Sequence, residues 1–255
     1  MRVSWAARSD SGLRRTVNED TWSALADIGL YVVADGMGGH AAGEVASRVA
    51  VEAIETFARE SAGFDSHRTW PFPYDTTISL NANRLKAALR VANHRIAEAA
   101  ADSSELRGMA TTACAVLTQG DSAAVAHVGD SRIYLLRGGE LRQLTLDHSW
   151  VEEQVRAGVM DARAARQHPW RTVGTRALSG GEDPEIDVAD VPLKAGDRLL
   201  LCSDGLSGVL SYEDIGDKLR ASDNLETICA SLVDAANAAG GPDNITVLVL
   251  QVDAP

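Results

Sequence analysis

The sequence predicts an α+β fold with antiparallel sheets, and three observations predict it. Short apolar runs arrive close together with tight turns between them. Two long segments repeat their apolar residues at helical spacing. Strands and helices come in blocks and not in strict β-α-β alternation.

Taken in order, residues 3–7, 21–26 and 29–34 read as strands, the last two joined through Asp27-Ile28-Gly29 as a hairpin. From residue 43 to 60, Val45, Val49, Ala53 and Phe57 recur along one helical face, and Leu85, Leu89, Ala92 and Ile96 do so in the next segment. Between these helices, residues 61–77 carry two prolines and many polar groups, a surface loop. TTACAVLTQ, SAAVAHVGD, RIYLLRGG and ELRQLT then form a second β-rich stretch, separated by Gly-Asp and Gly-Gly turns, for which antiparallel pairing is expected. Residues 147–180 are less regular and read as a mobile insertion with a helix at SWVEEQVRAG. DRLLLCSDG returns to strand, helices follow over 211–221 and 224–239, and NITVLVLQV closes the chain as a strand. No internal repeat or linker divides the 255 residues, so one domain is expected.

Composition narrows the function classes. At 45% hydrophobic and 24% charged the chain is ordinary globular sequence. A net charge of −12 opposes binding to nucleic acid and to anionic membranes, and no run of about 18 apolar residues is present to span one. Cys114, Cys202 and Cys229 show neither disulfide nor thiolate-metal spacing, which suits a reducing cytoplasm. A P-loop, H-E-x-x-H, G-x-S-x-G and C-x₅-R are all missing.

The segment YVVADGMGGHAAGE, residues 31–44, admits two readings. Gly36-x-Gly38-x-x-Ala41 fits the loose dinucleotide fingerprint, but Asp35 would sit beside a pyrophosphate, and a loop and a second helix follow where a parallel strand is required. The other reading takes Asp35 with Asp130, Asp204 and Asp243, each at the end of a β-like run and in a glycine or turn context, and with Asn18-Glu19-Asp20 near a strand start. One such aspartate is a turn residue; four plus an acidic triplet form an all-oxygen donor set, which favours Mg²⁺ or Mn²⁺ over Zn²⁺. Two such ions can activate a shared water and neutralise a phosphoryl group.

RTVNED, VVADGMGGHAAGEVAS, GDSRIYLLR, DHS, TRAL, GDRLLLCSDGLS and GPDNITVLVL, in that order from Arg15 to Leu250, resemble the motifs of the bacterial metal-dependent serine/threonine protein phosphatases of the PP2C (PPM) family. The resemblance implies a four-layer α-β-β-α sandwich with two central antiparallel sheets, a single domain over 1–255, and a flap at about 147–180. By position it implies that Asp35 bridges two divalent cations, Mn²⁺ or Mg²⁺, that Gly36 offers its carbonyl to one, and that Asp204 and Asp243 ligate the other. Glu19 matches a residue that holds hydration water, and Asp130, with Asp204, matches a third, weaker cation site. Arg15 corresponds to the substrate-phosphate arginine and His40 to the general acid. The implied activity is hydrolysis of phosphoserine and phosphothreonine in proteins, reversing a Ser/Thr kinase, by a cytoplasmic monomer. A regulatory module that has lost turnover is the alternative, and the intact Asp35, Asp204 and Asp243 speak against it.

Overall fold

The structure is a computed structural model that describes residues 1–38, 42–65 and 69–253. Its strands are β1 Val3–Asp10, β2 Asp20–Leu25, β3 Leu30–Met37, β4 Ala110–Thr111, β5 Ala113–Gln119, β6 Ser122–Val128, β7 Arg132–Arg137, β8 Glu140–Gln143, β9 Asp187–Pro192, β10 Arg198–Cys202 and β11 Ile245–Val252. The helices are α1 Ala42–Glu60, α2 Leu80–Asp102, α3 Trp150–Arg156, α4 Ala162–Gln167, α5 Asp204–Ser207, α6 Tyr212–Arg220 and α7 Leu225–Ala238. One sheet runs β1-β11-β10-β7-β8 and the other β2-β3-β5-β6-β9, with β4 alongside β3. Every pairing is antiparallel.

The two-residue period of a strand explains the four layers. In β3, Tyr31 and Val33 face the opposite sheet, while Leu30, Val32 and Ala34 face α1 and α2. In β11, Leu248, Leu250 and Val252 join that same inter-sheet core, while Ile245, Val247 and Val249 pack with Ile215, Ile228, Leu232 and Val233 of α6 and α7. The central strands are therefore buried on both faces, and the predicted α-β-β-α sandwich is the architecture observed. The hairpin forms as read, with Leu25 opposite Leu30.

The antiparallel pairing expected after residue 110 is observed, divided between the sheets: β5 pairs with β6 in one and β7 with β8 in the other. The chain crosses between sheets at Gly129-Asp130-Ser131, where Gly129 takes φ +102° and a Cβ would lie 2.6 Å from Thr112. β9 was not legible, because an edge strand reading DVADVP has little alternation and ends in proline. Trp5 and Trp22 are 38% and 36% exposed and pack on each other at 6.1 Å, since β1 and β2 are edge strands of the two sheets. Among the described residues no helix is long and apolar enough to cross a membrane.

Candidate metal centre

Antiparallel order brings the acidic turns to one end of the sandwich. Asp35 near the end of β3 lies directly across from Asp20 at the start of β2. Asp204 follows β10, Asp243 precedes β11, and Asp130 stands in the crossover from β6 to β7. Arg15, Glu19, Asp35, Gly36, Asp130, Asp204 and Asp243 line one cavity of about 530 Å³. His40 lies outside the described residues, and nothing in the structure bears on its expected role.

Two glycines let the backbone close around this cavity. A Cβ on Gly36 would lie 2.0 Å from the Gly43 carbonyl oxygen, and one on Gly43 would lie 2.3 Å from Glu19 Oε1. The Glu19 carboxylate thus fits against the first turn of α1, where the Gly43 backbone favours its charged form.

Like charges opposed across a strand pair are destabilising, so the Asp20–Asp35 pair calls for compensation. Burial followed by the charge of Asp20, and then of Asp204, Asp130 and Asp243, pushes Asp35 well above the usual carboxylate range. Burial also raises Asp20 to about 6, although it accepts from Ser203 Oγ at 2.7 Å. Burial and then Asp243 and Asp20 raise Asp204 to about 6, with Asp35 and Arg15 acting the other way. Burial and then Asp204 raise Asp130 to about 7. Burial raises Glu19 too, against the pull of Arg15. Two carboxylate oxygens, Glu19 Oε1 and Asp20 Oδ1, are buried without a hydrogen-bond partner. One arginine offsets this cluster directly: Arg15 Nη2 donates to Asp243 Oδ2 at 2.8 Å, and its side chain is 50% exposed. A set of oxygen-only donors with mutual repulsion and orphaned acceptors fits divalent cations.

Four partners of this site were not singled out in the sequence. In the sequence Asp20 is only a neighbour of Glu19; strand register, which sets it opposite Asp35, places it in the site. Thr112 lines the cavity, with Oγ1 accepting the Asp35 N–H at 3.2 Å. Asn244 accepts the Glu19 N–H at 2.8 Å. Arg176 lines the far wall and pairs with Glu185 at 2.8 Å and Asp187 at 3.3 Å.

A separate group, His127, His148 and Asp187, brings three ligand atoms within 4.8 Å of one another. It is a closed network. His148 Nδ1 accepts the Gly129 N–H at 3.1 Å, which leaves the ring proton on Nε2, 3.4 Å from Asp187; His127 Nε2 is bonded to the Leu146 carbonyl at 2.8 Å. Arg176 Nη1 stands 3.3 Å from both His148 Nε2 and Asp187, where an added cation would meet a guanidinium.

Residues 13–247 match the family model described as protein phosphatase 2C. The serine/threonine protein phosphatase PstP of Mycobacterium tuberculosis is 41% identical over 251 residues, covering 98% of this chain and 45% of that protein, so the chain spans less than half of that relative's length. The serine/threonine phosphatase stp of Listeria welshimeri is 36% identical over 251 residues, covering 96% and 94%. Among solved structures, Mycobacterium tuberculosis PstP aligns with a TM-score of 0.88 at 40% identity over 99% of each chain. The PstP catalytic domain in complex with two manganese ions aligns at 0.83 and 38% identity, again over 99% of each.

Proposed function

The chain belongs to the protein phosphatase 2C family, and from that membership we propose that it hydrolyses phosphoserine and phosphothreonine in proteins at a centre of two divalent cations, Mn²⁺ or Mg²⁺. The observation that carries this reading is the convergence of Asp20, Asp35, Asp130, Asp204 and Asp243 at one end of the sandwich, with Arg15 at the rim. Asp35, Asp204, Asp243 and the Gly36 carbonyl would hold the two cations, Glu19 and Asp20 would order their hydration, and Asp130 with Asp204 would serve a third, weaker site. Bound there, the cations supply a water of lowered pKa and neutralise charge on a phosphoryl group during in-line displacement.

The chain's own residues do the rest. Arg15 uses one N–H on Asp243, and its exposed fork keeps donors for two phosphate oxygens. Asp243 in turn fixes the guanidinium, and their hydrogen bond raises the Arg15 pKa further. Thr112 holds the Asp35 backbone from the side, through its Oγ1 and its N–H to the Asp35 carbonyl at 2.9 Å. His40 protonates the departing serine or threonine oxygen, a role that suits an imidazole near neutrality.

Residues 1–255 act as one domain in this proposal, a view supported by β1 and β11, which pair the two ends of the chain with Val3 opposite Val252. Residues 147–180 are the flap beside the cavity, which Thr172, Gly174, Thr175, Arg176 and Ala177 line. The substrates require a kinase that phosphorylates serine and threonine; the three unpaired cysteines suit a reducing cytoplasm, and a monomer suffices for the site.

The deciding experiment is hydrolysis of an aryl phosphate and a phosphothreonine peptide by purified protein, with Mn²⁺ and with a chelator. Turnover that depends on the metal supports the proposal. Absence of turnover with Mn²⁺, or equal turnover in chelator, rejects it.

A further inference from the structure

The flap departs in charge from the rest of the chain. Between Arg156 and Arg176 the sequence holds five arginines and one carboxylate, Asp161, a formal +4 within a chain of −12. Arg156, Arg163 and Arg171 are exposed, and each lacks an ion-pair partner among the described residues. Trp170, beside Arg171, is 53% exposed, and Val173 is 45% exposed.

These side chains stand on an anchored support. Arg132 of β7 grips Asp147 at the flap's start with two bonds of 2.6 and 2.8 Å. The Trp150 N–H donates to the Val173 carbonyl at 2.9 Å, the Thr175 N–H to the His148 carbonyl at 2.8 Å, and Thr175 Oγ1 to Glu153 at 2.7 Å. The Trp170 ring meets the Trp150 ring edge-on at 4.9 Å and lies 5.8 Å from His168. Thr172 and Gly174 line the cavity, and the exposed Arg171 and Val173 flank Thr172 in the chain.

A peptide whose phosphoresidue sits over the acidic floor advances about 3.3 to 3.6 Å per residue, which carries its flanking side chains over residues 170–173. Carboxylates that flank the phosphoresidue are attracted by the flap's arginines. Arginine and tryptophan are also the side chains that dominate protein recognition surfaces. We propose that the flap is a recognition surface for acidic segments of the phosphoprotein substrate, with Arg171 engaging carboxylates that flank the phosphoresidue and Trp170 supporting the peptide backbone. The proposal rests on the phosphatase reading of the cavity.

The test uses three phosphothreonine peptides of one core sequence, with flanks of three Asp/Glu, of the neutral amides, or of three Lys. In Mn²⁺ at low salt, the acidic-to-neutral ratio of kcat/KM should be roughly tenfold, as a few exposed arginine-carboxylate pairs give, and it should shrink with added salt. Arg171→Glu should bring the ratio to about one, and Trp170→Ala should lower kcat/KM for all three peptides. Anisotropy binding of the same labelled peptides in chelator gives a readout independent of turnover, with the same order expected. A ratio of one in the parent in both assays, or a tenfold ratio that survives Arg171→Glu, overturns the inference. Ordered binding without any turnover would reject the phosphatase reading and leave the acidic-recognition surface standing.

Discussion

Asn244 pins the backbone of Glu19 and both ends of the loop that carries Arg15. Its Oδ1 accepts the Glu19 N–H at 2.8 Å, and its Nδ2 donates to the Ser11 carbonyl at 3.0 Å and the Val17 carbonyl at 2.9 Å. The residue is 4% exposed and follows Asp243, so one side chain aligns the rim arginine with the acidic floor. Asn244→Ala should cost about 2 to 4 kcal/mol, since it leaves a buried N–H and two carbonyls short of partners. Urea unfolding measures that loss. Variant that remains folded should show KM for a phosphopeptide raised more than kcat is lowered; an unchanged KM would mean that the loop holds its shape without Asn244.

Asp35→Asn should have opposite effects with and without metal. Asp35 faces Asp20 across the β2–β3 pair, and its charge lies among Asp130, Asp204 and Asp243. Replacing it by the neutral amide removes repulsion, so the metal-free variant should melt several degrees above the metal-free parent in calorimetry with chelator. The rise in Tm on adding Mn²⁺ should be smaller than in the parent, because ligand binding stabilises only in proportion to its affinity. Hydrolysis should fall by at least two orders of magnitude. A metal-free variant less stable than the parent would contradict the electrostatic account of the cluster.

How much of this was legible in the sequence follows from the kind of order each feature has. The long helices and the β2–β3 hairpin are set by local periodicity, and they formed where expected. Asp35, Asp204 and Asp243 could be picked out because each interrupts an apolar strand at its end. Asp20 could not be assigned, since its place opposite Asp35 depends on strand register, and Asn244 could not, since its partners Ser11 and Val17 are more than 220 residues away. The division of β6 and β7 between sheets is hidden for the same reason: a Gly-Asp turn looks alike whether the chain doubles back or crosses over.

Arg15 should govern phosphate affinity more than turnover. It contributes a half-exposed fork held by Asp243 at 2.8 Å. A charge-assisted pair is worth about 1.5 to 3 kcal/mol, so Arg15→Ala should weaken product inhibition by inorganic phosphate by about tenfold or more. Arg15→Lys should recover only part of this, because an ammonium cannot present two parallel donors. Measuring the phosphate inhibition constant for all three proteins decides the matter. An unchanged constant in Arg15→Ala would assign the arginine to neutralising Asp243 alone.

His40 is testable through the leaving group. If the imidazole delivers a proton to the departing oxygen, His40→Ala should slow a phosphothreonine peptide by about 10² to 10⁴, while an aryl phosphate with a good leaving group should be slowed far less. Parallel kcat measurements on the two substrates give the comparison. Equal slowing of both would remove His40 from that role.

His127 and His148 should make stability fall in mild acid. Their rings stack at 4.6 Å with 21° between planes, and both residues are almost fully buried. Burial lowers both pKa values below the usual 6.5, and His127 depresses His148 further; Arg176 acts in the same direction, and Asp187 opposes both, joined by Asp147 at His127. The unfolded chain takes up these protons near pH 6.5, while the folded chain resists them. The stabilisation is therefore fully present above 6.5 and is lost as pH falls from there through the lower folded values. The parent's urea midpoint should drop between pH 7.5 and pH 5.5 by more than that of His148→Asn, whose amide oxygen can replace Nδ1 as acceptor for the Gly129 N–H. Taking the difference between the two proteins cancels the carboxylates of the cavity, whose raised pKa values act in the opposite direction. Equal midpoint changes in parent and variant would show that His148 does not contribute to the acid sensitivity.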